Sequence, residues 1–78
     1  MMMDPSHIRE RLEQVFPDAT VAAEDATGAG DHFAVTVVSD LFAGKSLVER
    51  HQMVYGALGA LMPRIHALQL KTVTPGER

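Results

Sequence analysis

The sequence predicts a single α+β domain whose elements follow the order α-β-β-α-β. Two segments carry apolar residues at helical spacing, and three short segments alternate in the manner of strands. Glycine and proline separate these segments. At 78 residues the chain has the size of one domain, and no repeat or linker divides it. We therefore predict one domain over residues 1–78, with residues 1–4 and 76–78 frayed.

The first helix is predicted to begin directly after Asp4. The Asp4 side chain can cap the helix, and Pro5 suits the first helical position because its missing N–H costs nothing there. Pro17 then ends the helix. The predicted buried stripe consists of Ile8, Leu12, Val15 and Phe16.

The next two segments are predicted to pair as a β-hairpin. Residues 20–26 form a weak first strand, and the glycine-rich residues 27–31 form the loop. Residues 32–39 form the strongest strand, because valine, threonine and phenylalanine dominate it. Both faces of this strand are apolar, so we expect it at the centre of the sheet.

The second helix is predicted to begin at a capping box made by Ser46 and Glu49. Gly56 and Gly59 each cost a helix roughly 1 kcal/mol relative to alanine, so we expect them where another backbone comes close. Pro63 ends or kinks the helix. The predicted buried stripe consists of Leu47, His51, Val54, Tyr55, Leu58, Leu61 and Met62.

The last strand is predicted over residues 66–73, where apolar and polar residues alternate again. The second helix is long enough to bring the chain back for a parallel pairing with the central strand. We therefore predict a mixed three-stranded sheet with both helices on one face.

The composition argues against several classes of function. The chain has no cysteine, so it cannot supply thiolate ligands or form disulfides. Its net charge of −3 argues against a general nucleic-acid backbone binder, which is normally basic. No apolar run reaches the ~18 residues of a membrane span, and the first residues lack the pattern of an export signal. We therefore expect a cytoplasmic protein with no membrane partner.

Motifs typical of enzymes and nucleotide-binding proteins are incomplete. Residues 43–46, A-G-K-S, stand between a strand and a helix, but Ser39 occupies the position where a phosphate-binding loop needs its first glycine. Residues 56–59 spell the G-x-x-G of nucleic-acid-binding KH domains, but they lie inside a predicted helix. No nucleophile stands near a histidine and an acid in a known order. We predict that the protein is not an enzyme.

The four histidines differ in their predicted roles. His7 is expected in solvent, and His51 falls on the apolar stripe of the second helix, where a hydrogen-bonded buried histidine is typical. The predicted topology places His32 and His66 at strand ends on one end of the sheet, and neutral imidazole is a good metal ligand. Spacing alone favours the interpretation that they are two unrelated polar residues at strand ends. Two histidines do not complete a metal site, so other ligands would have to come from outside the chain.

Two short segments resemble the BolA family, whose pattern is F-x-G-x-x-x-x-x-R-H followed later by I-H-A. The resemblance extends from about residue 7 to residue 75 and implies a class II KH-like fold. The residues that carry it are Phe42, Gly44, Arg50, His51, Ile65, His66 and Ala67.

The resemblance also implies a partner and a cofactor. BolA-like proteins pair with monothiol glutaredoxins and share a [2Fe–2S] cluster, to which the glutaredoxin contributes its cysteine and a bound glutathione. The resemblance implies that His66 is a ligand from this chain, and it implies His32 as the second ligand because of its position in the loop before the second strand. No cofactor is expected on the isolated chain, which would be a monomer or a weak homodimer. The role would be cluster assembly, cluster trafficking or iron regulation.

The surface that binds the partner is expected to include exposed residues of the second helix and the last strand. The candidates are Arg50, His51, Arg64 and Lys71. The alternative hypothesis is a DNA-binding transcriptional regulator that uses Arg50, Arg64 and Lys71, an activity also attributed to bacterial BolA-type proteins. The acidic composition argues against this alternative.

Overall fold

A computed structural model describes residues 3–78 of the chain and shows the predicted α-β-β-α-β order. Three short 3-10 turns lie between or after the main elements, at Asp40–Phe42, Gly59–Arg64 and Pro75–Glu77. The helices and strands are α1 (Pro5–Val15), β1 (Thr20–Asp25), β2 (His32–Val38), α2 (Leu47–Leu58) and β3 (Ala67–Val73).

The sheet has the order β1-β2-β3, which confirms the prediction that the strand beginning at His32 is central. β1 pairs with β2 in antiparallel fashion, and β3 pairs with β2 in parallel. In the parallel register His32 lies opposite Ala67, at the first rung of the ladder. The first residues of β2 and β3 therefore lie at the same end of the sheet.

One face of the sheet packs against both helices, and its other face remains open. The inward side chains of β2, at positions 33, 35 and 37, are buried, whereas Ala34 and Thr36 on the open face are only half-buried. The buried core consists of Met3, Ile8, Leu12, Phe16, Val21, Phe33, Val35, Val37, Phe42, Val54, Ala57, Leu58 and Ile65.

The predicted buried stripes are wrong at three positions. Val15 is 44% exposed, Leu47 is 62% exposed and Tyr55 is 41% exposed. Leu47 lies on the side of α2 that packs inward. It is the first residue of the helix, however, and this end of the helix extends past the buried core. Tyr55 is one residue after the fully buried Val54, so it lies about 100° around the helix from the core.

Gly59 ends α2, which is not the role predicted for it. Gly56 and Gly59 were both expected where another backbone comes close to the helix. The Gly59 φ of +50° is a conformation that side chains with a Cβ rarely adopt, and its N–H donates to the Tyr55 carbonyl as the helix cap. Gly56 has no close backbone neighbour, because a Cβ placed on it would meet no atom within 4 Å. The predicted close approach at Gly56 is therefore wrong.

The carboxyl terminus is ordered by a contact that the sequence pattern did not reveal. Residues 76–78 were predicted to fray, but Pro75–Glu77 forms a 3-10 turn and Glu77 pairs with Arg50 of α2. At the other end, Met1 and Met2 lie outside the described residues. Met3 is buried, and its N–H donates to the Gly30 carbonyl over 3.3 Å. Over residues 3–78, no helix is long and apolar enough to cross a lipid bilayer.

Candidate functional site

His32 and His66 lie side by side at the end of the sheet where β2 and β3 begin. Their ring centroids are 5.0 Å apart, and their ring planes differ by 27°. His32 is half-buried, whereas His66 is exposed. The structure thus brings together the two side chains that the sequence singled out as metal ligands. We call them the histidine pair.

Backbone hydrogen bonds fix the position of the histidine pair. The Asp31 carbonyl accepts hydrogen bonds from the backbone N–H of His66 over 2.7 Å and of Ala67 over 3.2 Å. Asp31, the residue before His32, therefore holds the backbone of His66. Because these bonds join β2 to β3 at their first residues, the two rings are brought together by the fold itself.

The loop that leads into His32 is held by Asp25, a role that the sequence reasoning missed. One oxygen of the Asp25 carboxylate accepts from the N–H groups of Thr27 and Gly28, over 3.2 and 2.8 Å. The other oxygen accepts from the N–H of Gly30 over 2.8 Å. Aspartate side chains often accept a hydrogen bond from the backbone N–H two residues on, so an aspartate at the start of a glycine-rich loop was the signal in the sequence.

The distance between the two ring centres of the histidine pair is compatible with two ligands on one metal ion. In a tetrahedral site with metal–nitrogen bonds of about 2.0–2.1 Å, each ring centre lies about 1 Å beyond its nitrogen, so two ring centres stand about 5 Å apart. The observed 5.0 Å matches this value. No group of three or more metal-binding side chains exists within residues 3–78. By itself the pair offers at most two ligands to a metal ion.

His51 lies away from the histidine pair, on α2. It is half-buried, and its ring meets Tyr55 edge-on at 6.3 Å between centroids. Its Nε2 atom is buried and has no hydrogen-bond partner in the described part of the chain. The hydrogen bond expected for a buried histidine is thus missing at Nε2. Its assignment to a partner surface stays a prediction.

Arg50 is largely occupied by contacts inside the protein. Its Nε donates to the Lys45 carbonyl over 3.0 Å, and its Nη1 donates to the Thr72 carbonyl over 3.3 Å. Both terminal nitrogens bind the Glu77 carboxylate, over 2.6 and 3.0 Å. The Arg50 side chain is only 13% exposed. This arginine joins the start of α2, the end of β3 and the carboxyl-terminal turn.

The two other predicted contact residues are exposed but lie apart. Arg64 ends the turn before β3, two residues before His66, and Lys71 lies in β3 opposite Thr36. Arg50 binds the far end of the same strand. Since β3 rises roughly 3.3 Å per residue, about 17 Å separates its first residue from Thr72. The structure therefore does not bring the three cations together in one patch.

The G-x-x-G segment is not available to a nucleic-acid backbone. Its two middle residues, Ala57 and Leu58, are 6% and 0% exposed and belong to the core of α2. The prediction that this segment lies inside a helix is confirmed for residues 56–58, whereas Gly59 caps the end of α2 and lies outside it.

The pairing of Glu77 with Arg50 predicts a specific dependence of stability on pH. The hydrogen bonds from Arg50 and from the Thr74 N–H lower the pKa of Glu77 from 4.5 to about 2. A lowered folded-state pKa stabilises the fold above the unfolded-state value, and this contribution is lost as the pH falls from about 4.5 through about 2. Thermal unfolding of wild type and Glu77→Gln should thus differ by a few degrees at pH 7 and converge near pH 2.

The matched control for that measurement is Glu24→Gln. Glu24 is an exposed carboxylate on β1 with no hydrogen bond or ion pair to any residue in 3–78. Its replacement should leave the pH profile of the melting temperature unchanged. A Glu77→Gln protein that follows the wild-type profile at every pH would contradict the assigned role of the pair.

Comparison with known proteins identifies close relatives over nearly the whole chain. Residues 8–77 match the family described as BolA-like protein. The chain is 39% identical to BolA-like protein 2 of Mus musculus over 77 residues, which covers 96% of this chain and 90% of that protein. It is 35% identical to the DNA-binding transcriptional regulator BolA of Escherichia coli, covering 94% and 77%. The crystal structure of a bol-like protein from Babesia bovis superposes with a TM-score of 0.87 at 36% identity, covering 99% and 91% of the two chains.

Proposed function

Because the chain belongs to the BolA-like protein family, a family of non-enzymatic regulators and adaptors, we propose that it binds a monothiol glutaredoxin and shares a [2Fe–2S] cluster with it. It would act in the cytoplasm, in cluster assembly, cluster trafficking or iron regulation. Its own contribution would be two imidazole ligands at the surface where the partner docks.

The observation that carries this proposal is the histidine pair. His32 and His66 have the spacing of two ligands on a single iron, and one of them is exposed to a partner. When bound, the cluster would supply one-electron chemistry at a potential that histidine ligation raises, as it does in Rieske centres. The chain's own residues hold the two rings in register through the Asp31 carbonyl.

The incomplete ligand set supports a shared site. A [2Fe–2S] cluster takes four protein-type ligands, and this chain has no cysteine. The cysteine of the glutaredoxin and the thiol of glutathione would complete the set. This chain alone would then hold the cluster poorly, which is what a protein that receives or hands on a cluster requires.

Arg64 and Lys71 are the proposed charge contacts with the glutaredoxin. Arg64 is exposed two residues from His66, so a partner bound at the histidine pair would reach it. Lys71 is exposed on the open face of the sheet, which also carries His32. Arg50 and His51 were predicted in the same role. The contacts of Arg50 with Glu77 and Thr72 favour an internal role for that residue.

The alternative is a DNA-binding transcriptional regulator, and one observation favours it. A relative that is 35% identical carries that description. The proposed contacts would be Arg50, Arg64 and Lys71. The separation of these residues along β3 and the net charge of −3 both argue against a continuous basic surface. We therefore place this function second.

A titration followed by visible absorption and circular dichroism tests the two functions against each other. The chain is added to cluster-loaded monothiol glutaredoxin with glutathione, and the cluster bands should change until the proteins are equimolar. Binding without any change in the cluster bands would mean that the protein docks on the glutaredoxin but does not bind the cluster. If there is no binding, and a DNA duplex is bound with an affinity that falls steeply with salt, the regulator function replaces the first proposal.

A further inference from the structure

We propose that the histidine pair also forms half of a zinc site that two copies of this chain complete, so that Zn²⁺ joins two molecules through four imidazoles. The site would consist of His32 and His66 from each copy. This inference concerns a different metal and a different partner from the shared cluster, and the zinc site itself does not depend on that function.

The geometry of the pair suits a tetrahedral zinc ion as well as an iron of the cluster. Zn²⁺ is almost always four-coordinate and tetrahedral in structural sites, and histidine nitrogen is one of its common ligands. The centroid separation of 5.0 Å is the value expected for two imidazoles on one tetrahedral ion. The hydrogen bonds from His66 and Ala67 to the Asp31 carbonyl hold the two backbones in place, so little ordering is needed before the metal binds.

The chain cannot complete the site by itself. No third histidine, aspartate or glutamate joins the pair within residues 3–78, and the sequence contains no cysteine. A second copy brings an identical pair. A twofold axis through the metal would generate four nitrogen ligands in two symmetry-related pairs, and twofold symmetry is the commonest closed symmetry of homo-oligomers.

The surroundings of the pair leave space for that second copy. Ala67 lies opposite His32 in the parallel ladder, and on the other side the Ala26 N–H donates to the His32 carbonyl over 2.8 Å. Both alanines are exposed. Small side chains thus flank His32 on both sides, and the exposed ring of His66 can reach a metal ion outside the protein surface.

Zinc and the cluster would compete for the same two rings. A chain in the zinc-linked dimer would have no free histidine to offer to a glutaredoxin. If the proposed cluster-sharing function holds, zinc would therefore regulate it by withdrawing the protein into a homodimer.

The test is sedimentation velocity of the full chain with increasing Zn²⁺ alone, at a pH where histidine is neutral. The protein should convert from monomer to dimer, reach saturation at one zinc ion per two chains, and return to monomer when a chelator is added. Zinc-edge X-ray absorption should show four nitrogen ligands at about 2.0–2.1 Å. One zinc ion per monomer without dimerisation would overturn the proposal.

Variants locate the site and separate it from other histidines. His32→Ala and His66→Ala should each abolish the zinc-dependent dimer, whereas His7→Ala, on α1, should leave it intact. Circular dichroism confirms that each variant is folded. A dimer that persists in His66→Ala would sink the proposal. The glutaredoxin titration, run with a chelator present, is independent: cluster sharing without a zinc dimer rejects only this inference, and a zinc dimer without cluster sharing rejects only the proposed function.

Discussion

Replacement of His66 by alanine is expected to abolish the spectral change that this chain produces in a glutaredoxin-bound [2Fe–2S] cluster. His66 is the exposed member of the histidine pair, and alanine has no atom that can bind iron. Loss of an outer-shell partner of a metal ligand typically weakens metal binding roughly 10–100-fold, and loss of the ligand itself costs at least as much. We therefore expect the cluster-dependent affinity for the glutaredoxin to fall by at least about tenfold. Visible circular dichroism of the mixed proteins measures both effects.

Two further variants give this prediction its controls. His32→Ala should have the same effect on the cluster bands, because both rings are placed to bind one metal ion. His7→Ala removes an exposed imidazole from α1 and should behave as wild type. If His66→Ala retained the wild-type spectrum, the cluster would not be bound through the histidine pair, and the ligand assignment would be wrong.

The helix starts could be predicted from the sequence because the groups that define them are close in the chain. Asp4 caps α1 by accepting a hydrogen bond from the Ser6 N–H, two residues away. Ser46 and Glu49 exchange the two hydrogen bonds of the capping box at the start of α2. The end of α2 was harder to predict from the sequence. Gly59 stops the helix through its own backbone conformation, although Pro63 is the more obvious breaker in the sequence.

Contacts between distant residues could not be read from any local pattern. Arg50 and Glu77 are 27 positions apart, and nothing at either position indicates the other. The prediction of a frayed tail failed for this reason. The proximity of His32 and His66 was accessible, because the parallel pairing of two strands follows from the length of the helical crossover. The hydrogen bonds that the Asp31 carbonyl accepts could not be predicted, because every residue carries a backbone carbonyl.

A Phe42→Ala protein is expected to lose a large part of its free energy of unfolding. The Phe42 side chain is fully buried, and its ring stands 5.5 Å from that of Phe16, which connects the junction after β2 to the end of α1. Truncation of a buried phenylalanine typically costs roughly 3–5 kcal/mol, because transfer free energy is lost and a cavity remains. Small domains have roughly 5–15 kcal/mol in total, and this chain is at the small end.

Urea denaturation at neutral pH measures this loss as a change in the free energy of unfolding. The matched control is the neighbouring Leu41→Ala, whose side chain is 49% exposed and whose replacement should change stability by no more than about 0.5 kcal/mol. The turn that carries both residues is held by Ser39, whose hydroxyl accepts from the Leu41 N–H over 3.1 Å and donates to the Asp18 carboxylate over 2.9 Å. Because this anchor is the same in both variants, the difference between their free energies of unfolding measures the contribution of the buried Phe42 ring. A Phe42→Ala cost below about 1 kcal/mol would mean that the turn repacks and that Phe42 does not anchor the fold.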